Sequence, residues 1–324
     1  MDAVRKIADA VLYEGYILWP YRASALKNRQ RWTFGGVYPR EHSKAHEDDA
    51  WTMQTQCLVE GSPEDTLEVS VRFLHVVRRQ VFRGSEPVDE LTVAGERHLS
   101  WEEATERELS APALRLGELG SPLSVPIGIA ADSEREELAD EGAVTRSWRA
   151  LEGEIEIGAE PVREGIFRLT VRIANTTPFA GGSREDALER TFCSTHTTVR
   201  AQGALLVSMT DPPAELSADA ETCSNQGTWP VLVGEPGERH TLLSSPIVLE
   251  DHPRIAPESP GDLFDGGEID QLLTLNILSL TDEEKAEIRA TDPRAREILD
   301  RTEALSEAEL MALHGTVREL QVRR

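Results

Sequence analysis

The sequence predicts an α+β protein with an antiparallel, β-rich and sandwich-like core, a short N-terminal helix and a C-terminal helical segment. Apolar and polar residues alternate in "TLEVSVRF" and in "GIFRLTVRI", which are typical of strands. Alternation with period two places one face of a strand on a core and the other in water, as in antiparallel sheets. Beyond residue 250, capping patterns replace the alternation and indicate helices.

Local patterns predict the elements in chain order. Residues 3–12 form a short amphipathic helix because their apolar side chains recur at helical spacing. Strands follow at 67–73 and 167–173, and further strands lie in "HTTVRAQGALLVSM" and "HTLLSSPIVL". Two interruptions are predicted to be helical, "SWEEATERELS" with Ser100 as N-cap and "SREDALERTF" with Ser183 as N-cap. The side chains predicted to be buried are Val69, Val71, Leu169 and Val171.

The C-terminal part begins with "EDHPRIAPESPGDLFDGGEIDQ", whose prolines and glycines predict an extended linker. Helices follow, with capping boxes that start at Thr281 and Ser306, and with Pro293 in a first turn. We therefore predict three parts: an N-terminal aromatic and basic segment (1–51), a β-rich domain (52–250), and the linker with the C-terminal helices (251–324).

The composition of the chain argues against nucleic-acid-binding, membrane-spanning and secreted proteins. The chain has 58 acidic and 34 basic residues and a formal charge of -24, which opposes broad binding to nucleic acid. No apolar run approaches the roughly 20 residues that span a bilayer, and the first residues lack the pattern of a signal peptide. Three widely spaced cysteines suit a reducing compartment. We expect a cytoplasmic protein with no nucleic-acid or membrane partner.

The opening stretch, "YEGYILWPYRASALKNRQRWTFGGVYPR", differs from the rest of this acidic chain. All four tyrosines lie at or before Tyr38, and no acidic residue follows Glu14 within the stretch. Aromatic rings and guanidinium groups together are typical of a docking surface. In the alternative, the aromatic rings fill a small core and the cations pair with the chain's own acids, including its acidic C-terminal segment. The predicted partner-binding residues are Trp19, Tyr21, Arg22, Lys27, Arg29, Arg31 and Trp32.

Two weaker patterns concern metals and nucleophiles. His42 and His46 have the i,i+4 spacing of metal ligands on a helix, but a solvated polar loop is the simpler interpretation. Cys193 and His196 are three residues apart, so in a regular strand they face opposite sides and form no pair unless a turn intervenes. We predict a buried structural cysteine, no metal site and no cofactor.

The usual catalytic motifs are absent from the sequence. Neither "DGGEID" nor "GEPGE" matches a phosphate-binding loop, and the chain has no GxSxG elbow and no CxxC pair. An active site assembled from distant strands leaves no local motif, so an enzyme with dispersed site residues stays an alternative.

The opening stretch and the segment "LEDHPRIAPESPGDLFDGGEIDQLLTLNILSLTDEEKAEIRATDPRAREILDR" together resemble a family of uncharacterised proteins. That family is encoded in gene clusters of high-affinity uptake nickel–iron (NiFe) hydrogenases. The resemblance covers roughly a quarter of the chain and supplies no catalytic residues. It implies a non-catalytic accessory protein that binds a hydrogenase subunit or maturation factor during assembly. The alternatives are a nickel or zinc carrier or sensor that uses a His/Cys cluster, and the enzyme with dispersed site residues.

Overall fold

Two antiparallel β-sheets, one of five strands and one of eight, form the centre of the structure. The structure is a computed structural model that describes residues 3–13, 16, 34–139, 142–254 and 276–306. The predicted fold class is confirmed. The strands are β1 Thr52–Glu60, β2 Thr66–Arg83, β3 Glu86–Val88, β4 Glu90–Val93, β5 Glu96–Leu99, β6 Trp101–Arg115, β7 Leu123–Ile129, β8 Asp132–Glu137, β9 Gly142–Trp148, β10 Leu151–Arg163, β11 Ile166–Asn175, β12 Cys193–Gln202, β13 Leu205–Leu206, β14 Trp229–Leu232 and β15 Thr241–Ser245. The helices are α1 Ala3–Tyr13, α2 Arg40–Ser43, α3 Arg184–Leu188, α4 Ser217–Ala220, α5 Asp282–Thr291 and α6 Pro293–Glu303.

The strand order shows how the two sheets are built. The five-stranded sheet has the order β13-β1-β11-β10-β7. The eight-stranded sheet has the order β14-β15-β12-β2-β9-β8, with β3 and β6 also paired to β2, and β4 and β5 form a separate hairpin. The largest apolar cluster takes side chains from both sheets, and the side chains of Val69, Val71, Leu169 and Val171 are buried in it as predicted.

The prediction of a helix at "SWEEATERELS" is wrong. All of these residues except Ser100 belong to β6, which pairs with β2 from Arg79↔Trp101 to Thr66↔Arg115. Glutamate and alanine favour helices only by tenths of a kcal/mol per residue, roughly, so a long partner strand overrides that preference. The pairing also gives buried arginines of β2 their carboxylate partners on β6, as in the Arg79–Glu103 ion pair at 3.2 Å.

The other predicted helices are confirmed where the structure describes them. Helix α1 contains residues 3–12, Ser183 caps α3 through a capping box with Asp186, and Thr281 caps α5 in the same way. Pro293 is the first residue of α6. The capping box from Ser306 and residues 255–275 of the predicted linker extend outside the described residues, and the three-part division of the chain stays a prediction.

None of the described helices combines the length and the apolar character that crossing a membrane requires.

Candidate functional site

The seven predicted partner-binding residues, from Trp19 to Trp32, all lie outside the described residues, so their role stays a prediction. The described residues on either side of them are Tyr16 and Phe34. Phe34 is 45% exposed, whereas Tyr16 is buried. The Tyr16 hydroxyl donates a hydrogen bond of 2.5 Å to Asp292 Oδ2, a group that lies 276 residues away in the chain.

Tyr16 belongs to a region where the two ends of the chain meet, which we call the terminal junction: α1, Tyr16, α5 and α6. Its apolar side chains form one cluster with the outer face of the eight-stranded sheet. The members from the junction are Leu12, Tyr13, Tyr16, Ile288, Ala295, Ile298 and Leu299, and those from the sheet include Leu74 and Val76. The guanidinium of Arg294 lies 3.3 Å from the centre of the Tyr13 ring. The opening stretch therefore contacts the C-terminal segment through Tyr13 and Tyr16, whereas the predicted pairing of its cations with that segment lies outside the described residues.

Asp292 holds the junction together because it serves two elements. It has an extended backbone and is the N-cap of α6, where its side chain accepts a hydrogen bond of 2.8 Å from the Arg294 backbone N–H. The same buried carboxylate accepts the hydrogen bond from Tyr16. A carboxylate with two donors is well stabilised in a buried position, so Asp292 fixes α6 against the opening stretch.

A buried arginine attaches α1 to the sheet. Arg72 on β2 lies between Asp9 of α1 and Glu106 of β6, with N–O distances of 2.6 Å to each. Its side chain is only 5% exposed. The desolvation cost of the buried guanidinium is offset by these two charge-assisted hydrogen bonds, which raise the pKa of Arg72.

Cys193 and His196 lie beneath this region on the same face of the sheet. Cys193 pairs with Leu74 and His196 with Arg72, and a bulge that contains Ser194 at φ 49° separates the two pairs. The prediction that they face opposite sides is therefore wrong, because the bulge changes the alternation. The predicted burial of Cys193 is confirmed.

These two side chains have separate hydrogen-bond partners. The Cys193 thiol approaches the Thr191 carbonyl oxygen at 3.7 Å, and His196 Nδ1 lies 3.2 Å from the Ser194 carbonyl oxygen. Burial and the neighbouring Arg72 lower the pKa of His196 to about 3. A neutral, buried imidazole paired with backbone serves the fold better than nucleophilic catalysis.

His42 and His46, in and just after α2, also make stacking and hydrogen-bond contacts within the fold. His42 is buried rather than part of a solvated loop, because its ring stacks on His46 at 4.1 Å and on Tyr38 at 5.2 Å. His42 Nε2 lies 2.8 Å from Asp49 Oδ2, and His46 Nδ1 lies 3.1 Å from the His42 carbonyl oxygen. Among the described residues, no group of three or more histidines, cysteines and acids is arranged to hold a metal ion.

A cleft of about 560 Å³ opens beside the terminal junction and shares Asp292 with it. We call it the arginine cleft, because arginines are its most frequent lining residue. It lies between the sheet strands β2, β6, β8 and β9, the β4–β5 hairpin, and helices α5 and α6. Its arginines are Arg79, Arg97, Arg146, Arg289 and Arg296, and its carboxylates are Glu96, Glu103, Glu136 and Asp292. No sequence signal indicated this set, because its members come from distant parts of the chain.

A third buried histidine, after His42 and His196, lies on β2. His75 is completely buried, its Nδ1 lies 3.5 Å from Arg107 Nη2, and its Nε2 has no hydrogen-bond partner within the described part of the chain. Burial and the charge of Arg107 lower the pKa of His75 to about 4. His75 is therefore neutral in the folded protein near neutral pH.

Comparison with known proteins assigns no family. No protein-family model matches the chain, and no curated protein is significantly similar to it.

Proposed function

We propose that this protein is a non-catalytic accessory protein that binds a protein partner during the assembly or maturation of a NiFe hydrogenase. One observation carries the proposal. The two segments that resemble the hydrogenase-associated family lie at opposite ends of the sequence, yet Tyr13 and Tyr16 of the first contact Arg294 and Asp292 of the second. This buried contact between the two segments gives a reason why both would carry the resemblance.

The predicted partner-binding residues are close in sequence to two described residues. Trp19 follows Tyr16 by three residues, and Trp32 precedes Phe34 by two. We expect the partner to contact the chain next to the terminal junction and next to the exposed Phe34. Exposed aromatic rings supply much of the affinity at protein interfaces.

The basic residues of the opening stretch also favour a protein partner with an acidic surface. The opening stretch contributes Arg22, Lys27, Arg29 and Arg31 to a chain with a formal charge of -24. Such a local reversal of sign orients an acidic partner towards the basic residues and raises its association rate. The proposed partner is an acidic surface of a hydrogenase subunit or of a maturation factor.

The test is affinity purification from a host that is expressing its hydrogenase, followed by binding measurements with the purified hydrogenase component that is recovered. Arg29→Glu with Arg31→Glu should reduce the association rate most at low ionic strength, because salt screens the charges. The matched control is Arg83→Glu with Arg115→Glu, which reverses two exposed arginines outside the opening stretch. Both double variants should keep the thermal stability of the wild type.

Two results would contradict the proposal. In the first, no hydrogenase component is recovered, and a strain without the gene assembles active hydrogenase at the wild-type level. In the second, the control pair weakens binding as much as the Arg29 and Arg31 pair does, so that net charge alone accounts for the effect.

A further inference from the structure

The arginine cleft brings five guanidinium groups together in an acidic protein, and four carboxylates line it with them. Five of its fifteen lining residues are arginines, and each comes from a different element: β2, β5, β9, α5 and α6. Across the whole chain, acids outnumber bases by 58 to 34. The convergence of five guanidinium groups is thus a property of the tertiary structure.

The floor of the cleft places two like charges side by side. Arg79 on β2 and Arg146 on β9 are directly opposite each other in the strand register. Directly opposed like charges destabilise a sheet. A single carboxylate, Glu103 of β6, bridges them, with Oε1 at 3.2 Å from Arg79 Nη1 and Oε2 at 2.9 Å from Arg146 Nε. Glu136 also approaches Arg146 at 3.1 Å, but its side chain is 59% exposed and water screens its charge.

Arg79 also retains an unused donor. Its side chain is 10% exposed, and its Nε is buried with no hydrogen-bond partner within the described residues. A buried N–H without an acceptor is unfavourable, so an anionic group that reaches it from the cleft gains a charge-assisted hydrogen bond.

The opposite wall supplies a second cationic position. Arg296 of α6 donates from Nε and Nη2 to the Arg289 carbonyl oxygen, at 3.1 and 2.8 Å. Arg296 makes no ion pair in the part of the chain that the structure describes. Arg289 pairs with Asp300 and Glu303 on α6, and Arg97 pairs with Glu90.

We propose that the arginine cleft binds a small multivalent anion, a ligand with at least two carboxylate or phosphate groups. Its volume of about 560 Å³ suits a small-molecule ligand. The cations on the sheet and on the helices form two separate walls, so a ligand with two anionic groups can engage both. The carboxylates of Glu96 and Asp292 also line the cleft and repel an anion, so the ligand must be held by specific hydrogen bonds to guanidinium groups rather than by net charge. This inference does not depend on the proposed hydrogenase function.

The test uses the purified full-length chain with citrate and pyrophosphate as probes. Thermal shift and titration calorimetry should show saturable binding of at least one probe, while acetate and chloride at matched ionic strength should have no such effect. Arg146→Gln and Arg296→Gln should each weaken binding about tenfold, the value expected for the loss of one charge-assisted hydrogen bond. The matched control is Arg163→Gln, an exposed arginine that pairs with Asp219 outside the cleft.

The probes also distinguish the two sources of negative charge, since citrate carries carboxylates and pyrophosphate carries phosphates. Binding of either one supports the proposal. The proposal is wrong if neither probe binds saturably, or if both cleft variants bind as tightly as the wild type and the control. Arg296→Gln keeps the experiment decisive if Arg146→Gln does not fold, because Arg296 is exposed and makes no ion pair within the described residues.

Discussion

Two buried histidines should make the free energy of unfolding fall as the pH decreases from about 6.5 to about 5. Burial and Arg107 lower the pKa of His75 to about 4, and burial and Arg72 lower that of His196 to about 3. An unfolded chain exposes both rings, which then have an ordinary pKa of about 6.5. Below that pH the unfolded state binds protons that the folded state does not, so stability is lost.

The size of the effect follows from the pKa differences. Each pH unit between the two pKa values of a histidine changes the free energy of unfolding by about 1.4 kcal/mol. At about pH 5 each histidine has therefore removed about 2 kcal/mol, and the pair about 4 kcal/mol. A typical domain is stable by only about 5–15 kcal/mol, so the loss is readily measured.

The assay is urea unfolding at about pH 7.5 and about pH 5, with the difference between the two as the readout. His75→Gln and His196→Gln should each remove about half of that difference, whatever their own stability, because glutamine does not titrate. His240→Gln is the matched control, since His240 is exposed and its side chain forms no hydrogen bond within the described part. Carboxylates whose pKa is lowered in the folded state, such as Glu303, reduce stability only below their unfolded value of 4.5. The reasoning fails if the wild type is equally stable at both pH values, or if both variants keep the full difference.

Three further outcomes follow from the contacts. Arg72→Leu should destabilise the protein by at least about 2 kcal/mol in urea unfolding, because it leaves the partly buried Asp9 without this cation and leaves Glu106 with the exposed Arg5 at 3.4 Å; a change below about 0.5 kcal/mol would contradict this. In a double-mutant cycle, Tyr16→Phe and Asp292→Asn should show a coupling of about 1–2 kcal/mol, and additive effects would mean that their hydrogen bond contributes nothing. Protein purified without a histidine tag should contain no stoichiometric zinc or nickel; a near-equimolar metal that is lost in His42→Ala and His46→Ala would instead support a metal carrier.

Local signals explain which elements the sequence could predict. The strands at 67–73 and 167–173 alternate over their whole length, and the caps at Ser183 and Thr281 depend on residues three positions apart. By contrast, the strand Trp101–Arg115 is set by its pairing with β2, a partner that its own composition does not reveal. The same limit applies to the bulge at Ser194, because serine rarely adopts a positive φ and no neighbouring residue indicates it.

The same distinction between local patterns and contacts of distant residues applies to the candidate sites. The sequence identified an unusual opening stretch, and Tyr13 and Tyr16 of that stretch lie at the terminal junction. It also selected His42 and His46 by spacing alone, although their ring nitrogens are used by Asp49 and by backbone. The arginine cleft could not be predicted, because its guanidinium groups are brought together only by the pairing of β2 with β9 and by the packing of α5 against β5.

Asp292 connects the terminal junction with the arginine cleft, and this connection can be measured. The Tyr16 hydroxyl donates to Asp292, which also lines the cleft, so the hydrogen bond reduces the negative field of that carboxylate. Tyr16→Phe removes the donor and should weaken the binding of citrate or pyrophosphate by a few fold, roughly, with Arg163→Gln as the unaffected control. A partner that disturbs the Tyr16–Asp292 hydrogen bond should then lower the affinity for the anion. Thermodynamic linkage requires that the bound anion lowers the affinity for the partner by the same factor. If Tyr16→Phe binds the probes as tightly as the wild type, the junction and the cleft act independently, and Asp292 has only its structural role in the junction.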